Sequence, residues 1–499
     1  MNSAGVTDAA ETFSIHLANE SATGALAEDI AACLMPGDVV ALGGGLGAGK
    51  TTLARALIRA LADDRALEVP SPTFTLVQHY RTPHLAVAHF DLYRLADAAE
   101  IDEIGLGEAH EEGSVLIEWP ERAMDRLPEK RLDVALTISR TGRLVTISGG
   151  GDLGNRFARS RVIRTFLEAE GWVDASRRRL AGDASRRRYE RIRCGNRRAI
   201  LMDWPRSGQF SEGDPRARFR ARDIGAFLAV GAALRSAGLS APDVYAAQAG
   251  RGLALLEDFG DERIAVGANP VPQRYEAAVA LLATIHARQR PDVLPLPGGG
   301  THVLPSFSGP VVEAELTSFA DAYVPLATGR PLDGVARAEL LAIWARLADV
   351  LAQAEQSWML FDVQAPNLFW LPERDGIARV GLIDFQDMFS GPAAYDVASL
   401  CQDARTTIPA DLEAALRARY VAYRVAGDPA FDVNGFGAVY AVSAALRTLK
   451  NLGAFARFAG TGNADYVQHF PRLREYLERV LAEPVLSPLA LWYEGHLTS

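Results

Sequence analysis

Lysine is nearly absent from this sequence. The 499-residue chain contains 52 lysine and arginine residues, and the lysines among them are Lys50, Lys130 and Lys450. Arginine occupies almost every other cationic position. The two side chains are not interchangeable, because a lysine ammonium is a compact point charge and an arginine guanidinium is a planar fork. Chemistry that requires a lysine therefore has only three candidate positions.

Cysteine and long apolar runs are also scarce. Cys33, Cys194 and Cys401 share no CxxC spacing, which argues against a disulfide framework and a structural zinc site. The longest apolar stretches, such as 436–446, fall short of the roughly 20 residues of a membrane span. The first 13 residues lack the basic and apolar regions of a secretory signal. We therefore expect a cytoplasmic protein with no membrane association.

Length and charge divide the chain unevenly. At about 100–200 residues per domain, 499 residues predict two or three domains. Residues 1–150 carry 12 Lys+Arg and 22 Asp+Glu, so the whole net charge of −10 belongs to them, and residues 151–499 are neutral. Contact with a nucleic-acid backbone needs cations. We expect the acidic first part to act through protein partners.

The hydrophobic pattern predicts where the domains lie. In residues 10–148, short strand-like runs alternate with helical spacing, which favours an α/β domain with a mainly parallel sheet. The strand candidates are 39–42, 86–90, 115–117 and 134–138. Glycine-rich residues 149–157 are predicted to be a linker. Residues 158–490 form the second domain, which is mostly helical and carries a strand pair at 369–371 and 380–383.

A phosphate-binding loop follows the first apolar run. The segment matches G-x-x-x-x-G-K-[ST] between a predicted strand and a predicted helix at 51–62, the context that this motif requires. Glycines allow backbone N–H groups to surround phosphates, lysine reaches the β- and γ-phosphates, and the threonine hydroxyl binds Mg²⁺. The predicted nucleotide-binding residues here are Gly44, Gly45, Leu46, Gly47, Ala48, Gly49, Lys50, Thr51 and Thr52.

Two carboxylates stand at the ends of later strand candidates. Asp91 ends the run 86–90, and Glu118 ends the run 115–117. The carboxyl ends of strands form the ligand-binding edge of an open α/β sheet. A P-loop enzyme needs a second carboxylate for the metal ion and a group that positions the attacking water, and Asp91 and Glu118 are the candidates for these tasks.

Four segments of the first domain occur in the order Leu46–Thr52, Ser71–Leu76, His89–Leu95 and Ile117–Glu121. Together they resemble the TsaE (YjeE) family of bacterial ATPases in tRNA threonylcarbamoyladenosine synthesis. The resemblance spans nearly all of residues 10–140.

This resemblance implies several roles. Thr51 and Asp91 would surround Mg²⁺, residues 71–75 would form a switch-like loop near the γ-phosphate, Glu118 would be needed for hydrolysis, and Trp119 would lie close to the nucleotide. Partners of the TsaD and TsaB type are implied, with tRNA involved only indirectly. The sequence departs from the family at Gly45, where an acid is common. An unrelated P-loop NTPase is the alternative.

A second constellation occurs in the C-terminal part. Asp362 and Asn367 are separated by four residues, and Asp384 of an Asp-Phe pair follows 17 residues after Asn367, beyond the predicted hairpin. This is the layout of a kinase catalytic loop and its metal-binding segment. Asp362 is predicted to accept the proton of the attacking hydroxyl. Asn367 and Asp384 are predicted to hold Mg²⁺ against the phosphates of ATP.

Further segments carry a second resemblance, and they are Ala181–Ser185, Arg188–Tyr189, Leu201–Asp203, Leu255–Gly260, Gly381–Asp387, Gly391–Leu400 and Gln402–Arg405. They resemble the aminoglycoside-phosphotransferase-like superfamily, and the last two resemble its AmgK type. The AmgK enzymes phosphorylate the anomeric hydroxyl of N-acetylmuramate and N-acetylglucosamine in cell-wall recycling. By this resemblance, Glu257 and Phe259 belong to the hinge that receives the nucleotide, and Asp396 is a buried anchor of the catalytic loop.

Three departures keep alternatives open for this half. No lysine stands on an early strand to hold the phosphates, since Lys450 lies far along the chain. Leu360 and Gln364 occupy positions where histidine is common, and Gln386 replaces the glycine of Asp-Phe-Gly. A nucleotide-binding pseudokinase that regulates is one alternative. A kinase for another hydroxylated small molecule, such as an aminoglycoside, is the other.

The sequence thus predicts a bifunctional enzyme that uses ATP and Mg²⁺. An α/β P-loop NTPase domain is followed by a two-lobed α+β protein-kinase-like domain of the aminoglycoside phosphotransferase type. The first would be an ATPase supporting tRNA modification, and the second an amino-sugar kinase.

Overall fold

The computed structural model describes residues 11–180, 187–205, 214–462 and 464–497. The chain forms two compact units that divide between Asp203 and Trp204. Within the described residues, no helix has the length and apolar character needed to cross a membrane.

The first unit contains a seven-stranded sheet with helices on both faces. Its strands are β1 Glu11–Leu17, β2 Val39–Gly43, β3 Val77–Arg81, β4 Ala86–Asp91, β5 Ser114–Glu118, β6 Leu132–Ser139 and β7 Gly142–Gly149. Its helices are α1 Glu20–Ala31, α2 Lys50–Leu61, α3 Glu100–Glu103 and α4 Leu106–Glu112.

The strand order is β1-β7-β6-β2-β5-β4-β3. All four predicted strands are present, as β2, β4, β5 and β6. The expectation of a mainly parallel sheet is wrong at the edges. Pairs β6–β2, β2–β5 and β5–β4 are parallel, whereas β1–β7, β7–β6 and β4–β3 are antiparallel. The connections explain this: two residues join β6 to β7 and four join β3 to β4, and links this short permit only hairpins.

The central strands are covered on both faces. Val40 and Leu42 of β2 pack in a cluster with α1 and α2, and Val39 packs in a second cluster with α3 and α4. Burial on both faces explains why these strands read as continuous apolar runs. Because β2, β5 and β4 pair in parallel, their carboxyl ends lie at one edge of the sheet.

The glycine-rich segment predicted as a linker is not a loop. Strand β7 ends at Gly149, and helix α5 Gly151–Ala169 begins two residues later. Leu153 and Phe157, four residues apart on α5, pack into the same cluster as α1 and α2. Their burial stabilises a helix where the glycines alone predicted a flexible joint. Three strands complete this unit: β8 Ser176–Arg179, β9 Arg188–Cys194 and β10 Arg197–Asp203.

The second unit is rich in helices. They are α6 Ile224–Ser236, α7 Pro272–His286, α8 Gly309–Ser318, α9 Val324–Thr328, α10 Gly334–Gln353, α11 Ala393–Cys401, α12 Ala410–Gly427, α13 Val433–Gly460, α14 Phe470–Leu481 and α15 Ser487–Leu497. A π-helical turn at Phe319–Tyr323 joins α8 to α9.

Its strands form short antiparallel pairs: β11 with β12, β13 with β14, β15 with β16, β17 with β20, and β18 with β19. Their bounds are β11 Val244–Gln248, β12 Leu253–Leu256, β13 Ala265–Val266, β14 Asn269–Pro270, β15 Val293–Pro295, β16 Thr301–Val303, β17 Gln356–Met359, β18 Leu368–Trp370, β19 Val380–Leu382 and β20 Phe389–Pro392. The predicted strand pair is the β18–β19 hairpin. The 28-residue helix α13 packs against α8, α11 and α14, and nearly all of its residues from 439 to 456 are buried.

Candidate active sites of the two units

The phosphate loop connects β2 to α2, as the sequence predicts. Gly44 has φ +132°, and a Cβ there would lie 2.3 Å from the carbonyl oxygen of Leu136, so only glycine fits. Lys50 begins α2, and its Nζ donates hydrogen bonds to the carbonyl oxygens of Gly44 at 2.7 Å and Gly45 at 3.0 Å. The loop therefore encloses the lysine ammonium at the N-terminus of α2.

Asp91 and Glu118 are neighbours on adjacent parallel strands. They pair in register at the ends of β4 and β5, and both are buried. The hydroxyl of Thr51 donates to Glu118 Oε2 at 2.9 Å, and His89 Nε2 lies 3.0 Å from Glu118 Oε1. Glu118 is thus held from two sides. The sequence predicted Glu118 and Thr51 but assigned no role to His89.

Asp91 is held by the loop at residues 71–75. Its Oδ2 accepts hydrogen bonds from Ser71 Oγ at 3.0 Å and Thr73 Oγ1 at 2.6 Å, and its Oδ1 accepts from the backbone N–H of Tyr93 at 3.1 Å. The predicted metal ligands Thr51 and Asp91 therefore bond to different partners here. Both offer the hard oxygen atoms that Mg²⁺ prefers.

Trp119 lies beside the phosphate loop. Lys50 Nζ stands 3.5 Å from the centroid of its ring, and Tyr93 packs on the ring at 4.9 Å between centroids. Trp119 has φ +59°, an uncommon backbone conformation for a large side chain. Burial lowers the pKa of Lys50 below its ordinary value, and the negative charge of Glu118 acts in the opposite direction. Trp119 is therefore placed where its fluorescence would respond to a ligand of Lys50.

The kinase-like loop in the second unit is fixed by a buried carboxylate. Asp396 on α11 accepts hydrogen bonds from the backbone N–H groups of Leu360 at 2.7 Å and Phe361 at 2.9 Å. Phe361 has φ +74°, a strained conformation that the carboxylate helps to hold. Asp396 thus contacts the loop backbone, as an anchor of this loop would.

The three predicted catalytic and metal-binding residues come together. Asn367 Nδ2 donates to the carbonyl oxygen of Asp362 at 3.0 Å, and the carbonyl oxygen of Asn367 accepts from Ile383 N–H at 3.1 Å. Asp384 follows immediately, with φ +61°, and its Oδ1 accepts from Gln386 Nε2 at 3.0 Å. The residue that replaces glycine in Asp-Phe-Gly therefore orients the carboxylate of Asp384.

A second buried carboxylate braces the same loop. Asp403 Oδ2 accepts from the backbone N–H of Ala365 at 2.6 Å, and its Oδ1 accepts from the N–H groups of Arg405 at 2.7 Å and Thr406 at 3.0 Å. Burial raises the pKa of Asp403, although these hydrogen bonds act to lower it. The sequence analysis noted this residue only as part of a motif.

Lys450 also lies at this site, where the sequence analysis did not place it. Its Nζ is 3.0 Å from Asp362 Oδ1, and Arg447 Nη1 is 3.3 Å from the same oxygen. Burial raises the pKa of Asp362, but the lysine and the arginine outweigh burial and hold that pKa well below its usual range. The carboxylate is therefore ionised at neutral pH.

The two predicted hinge residues are engaged in protein contacts. Glu257 donates its backbone N–H to the carbonyl oxygen of Asp243 at 2.8 Å, and its carboxylate pairs with Arg374. Phe259 is buried and packs edge-on against Phe369 at 5.5 Å between ring centroids. Their nucleotide-binding role stays a prediction. The motif at residues 181–185 lies outside the described residues.

Comparison with known proteins matches a family to each half of the chain. Residues 17–145 match the family model "Threonylcarbamoyl adenosine biosynthesis protein TsaE", and residues 176–433 match the model "Phosphotransferase enzyme family". The chain belongs to both families. The two families are ATP-using enzymes, which confirms the predicted fusion, its fold class and the use of ATP. The phosphotransferase match begins at the first residue of β8, so it extends across the point where the two compact units divide.

Individual relatives match each half of the chain, and each match covers most of the relative's own length. An N-acetylmuramate/N-acetylglucosamine kinase of Caulobacter vibrioides is 37% identical, over 66% of this chain and 95% of the relative. A kinase of the same name from Pseudomonas aeruginosa is 30% identical, over 64% of this chain and 89% of the relative. The tRNA threonylcarbamoyladenosine biosynthesis protein TsaE of Rickettsia bellii is 41% identical, over 24% of this chain and 84% of the relative.

Proposed function

We propose that this chain is a bifunctional enzyme. Its second half transfers the γ-phosphate of ATP to the anomeric hydroxyl of N-acetylmuramate or N-acetylglucosamine, in cell-wall recycling. Its first half hydrolyses ATP in support of threonylcarbamoyladenosine modification of tRNA. The convergence of Asp362, Asn367 and Asp384 on an anchored loop carries the kinase proposal, together with the kinase relatives named above.

The chemistry of the kinase site follows from these groups. Asp362, kept ionised by its cationic neighbours, accepts a hydrogen bond from the sugar hydroxyl and takes its proton as the new P–O bond forms. The Asn367 amide oxygen and the Asp384 carboxylate are oxygen ligands that fit Mg²⁺. When bound, Mg²⁺ would neutralise charge on the phosphates of ATP. Protein kinases use an Asn and an Asp in the same two positions.

The kinase proposal is tested with purified full-length chain, ATP, Mg²⁺ and each amino sugar. We expect phosphorylated sugar from the wild type and none from Asp362→Asn. A Lys50→Ala variant, altered only in the other site, should retain full sugar phosphorylation. Transfer only to other acceptors in a panel that includes aminoglycosides would replace the sugar assignment. Nucleotide binding with no transfer at all would establish the pseudokinase alternative.

The ATPase proposal rests on the buried set around the phosphate loop. Glu118, held by Thr51 and His89, would orient the attacking water. Thr51 and Asp91 are the proposed Mg²⁺ ligands. Partners of the TsaD and TsaB type would complete the reaction, because the net charge of −10 on residues 1–150 does not favour direct binding of tRNA.

This second proposal is tested by complementation. Full-length chain carrying Asp362→Asn should restore threonylcarbamoyladenosine in a bacterium depleted of its own TsaE, as measured by mass spectrometry of tRNA nucleosides. The same chain with Lys50→Ala should not restore it. Failure of the first variant, expressed at a normal level, would show that this domain does not perform the proposed role in tRNA modification.

A further inference from the structure

Lys450 is buried beside the proposed base of the kinase. It lies on α13, and its side chain is 12% exposed. Besides its ion pair with Asp362, the ammonium stands 3.7 Å from the centroid of the Phe361 ring. It is the only lysine after residue 150 in an arginine-rich sequence. One side chain therefore contacts both residues at the strained point of the catalytic loop.

Arg447 supports the same loop from the preceding turn of α13. Residues three apart on a helix share one face. Arg447 Nη1 donates to the carbonyl oxygen of Phe361 at 3.0 Å and contacts Asp362 Oδ1 at 3.3 Å. Arg447 thus binds the backbone of the loop, whereas Lys450 binds only the carboxylate and the adjacent ring. The two cations share Asp362 Oδ1, and they differ because Arg447 alone also binds the Phe361 carbonyl oxygen.

The other charged groups near Lys450 form ion pairs mainly with one another. Arg220 lies 4.0 Å from the centroid of the Phe361 ring and pairs with Glu315 at 2.5 Å. The charged and titratable groups that act on Lys450 and Arg447 are Asp362, Glu315, Arg220, Tyr395 and Asp403. Asp362 is the carboxylate in direct contact with the lysine. Its loss would leave a buried ammonium without a bonded partner.

We propose that Lys450 is a positioning residue of the kinase site, whose ammonium orients the Asp362 carboxylate toward the acceptor hydroxyl. This inference rests on the proposed kinase function. A positive charge next to the base also stabilises the negative charge that arrives with the γ-phosphate. The ion pair is a charge-assisted hydrogen bond between side chains that are 12% and 28% exposed, so solvent screens it only in part.

The protonation of Lys450 gives this role a pH dependence. Burial lowers the pKa of Lys450 to about 8, while Asp362 acts in the opposite direction. The ammonium is present below that pKa and is lost as the pH rises through it. Sugar phosphorylation should therefore decline above about pH 8. An arginine at this position stays protonated, so Lys450→Arg should remove that decline.

Steady-state kinetics test the role. In Lys450→Met we expect kcat to fall about ten- to a hundredfold, the loss of one charge-assisted hydrogen bond, with little change in KM for ATP. Lys450→Arg should recover most of kcat below pH 8 and show no basic decline. Lys130→Met, the same substitution at an exposed lysine of the other unit, is the control and should match the wild type. A wild-type kcat in Lys450→Met overturns the proposal, as does an unchanged basic decline in Lys450→Arg.

A spectroscopic test does not depend on the acceptor. With ¹³C-labelled lysine the chain gives three side-chain signals, and Lys450→Arg identifies one of them. That signal should titrate near pH 8 in the wild type and at lower pH in Asp362→Asn, where the stabilising carboxylate is gone. An unchanged titration in Asp362→Asn overturns the ion pair.

If the wild type phosphorylates another acceptor instead of amino sugars, the sugar assignment fails alone, and the kinetics are measured with that acceptor. Transfer to no acceptor overturns both proposals.

Discussion

Asp29 offers a test of how residues 151–203 are attached to the P-loop fold. It lies on α1 and is fully buried. Its carboxylate accepts hydrogen bonds from Arg161 at 2.7 Å and Arg164 at 2.8 Å, both on α5, and from Arg177 on β8 at 2.7 Å. One carboxylate therefore joins three elements of this unit. We predict that Asp29→Ala weakens the packing of α5 and β8 against α1.

The structure sets the size of the effect. Removing one partner of a buried ion pair costs about 3–5 kcal/mol, because the remaining charge is left unpaired. Arg177 retains Glu190 at 2.7 Å, and Arg161 is 22% exposed and so reaches water. Arg164 is the most affected, since its remaining hydrogen-bond acceptors are backbone carbonyl oxygens and its remaining carboxylate, that of Glu28, is 3.9 Å away. We expect a cost near the lower limit, about 3 kcal/mol, or roughly 150-fold more frequent local opening.

Hydrogen exchange measured by mass spectrometry can detect this opening in the full-length chain. Under conditions where reclosing is faster than exchange, protected amides of α5 and β8 should exchange roughly 150-fold faster in Asp29→Ala. Amides of α13 in the other unit serve as an internal reference. The control variant is Asp102→Ala, which removes an ion pair with Arg126 whose two side chains are 58% and 48% exposed. An exposed pair contributes about 1 kcal/mol or less.

Two outcomes would refute this reasoning. Unchanged exchange of α5 and β8 in Asp29→Ala would show that the arginine cluster does not hold these elements. An effect as small as that of Asp102→Ala would show that solvent compensates for the lost carboxylate. Acceleration confined to α5 and β8, with α13 unaffected, is the predicted pattern.

Three further predictions concern the active sites and the cysteines. Glu118→Gln should lower ATP hydrolysis about 10²–10⁴-fold in a kinase-inactive background, with nucleotide binding retained as followed by tryptophan fluorescence. Asp396→Asn should reduce sugar phosphorylation more than tenfold and leave the ATPase unchanged, because the amide cannot accept both backbone hydrogen bonds with the same strength. Iodoacetamide at pH 8 should modify the half-buried Cys194 alone, since Cys33 and Cys401 are buried and burial raises the pKa of each thiol, that of Cys33 to about 12. Peptide mapping of the alkylated protein measures the last result.

Much of the P-loop unit could be predicted because its signals are local. A glycine-rich loop between an apolar run and a helix needs no knowledge of distant residues, and strand-end acids such as Asp91 and Glu118 follow from the direction of parallel strands. The linker prediction failed for the opposite reason. Glycines at 149–151 indicate flexibility, but the helix there is stabilised by Phe157, whose ring packs edge-on against Phe13 of β1 at 5.4 Å between centroids. Sequence patterns do not show such distant packing.

The kinase site shows the same limit more sharply. The spacing of Asp362, Asn367 and Asp384 could be read directly, because these residues lie within one short segment. Lys450 is 88 positions from Asp362, and only the path of α13 brings the two together. The sequence analysis searched for a lysine on an early strand, where protein kinases place one. The lysine that the structure brings to this site stands on the late helix α13 and not on an early strand. It contacts the proposed base, Asp362.

The identity of the cation at this position has a physical consequence. Arginine fills most cationic positions of the chain, and in a protein it does not lose its proton. A lysine buried beside Asp362 has a pKa of about 8, so its charge changes within a pH range that a cell can reach. Arginine would give the same ion pair with no such response. If Lys450 positions the base, then the kinase is sensitive to pH because this one cation is a lysine, and Lys450→Arg should separate catalytic competence from pH sensitivity.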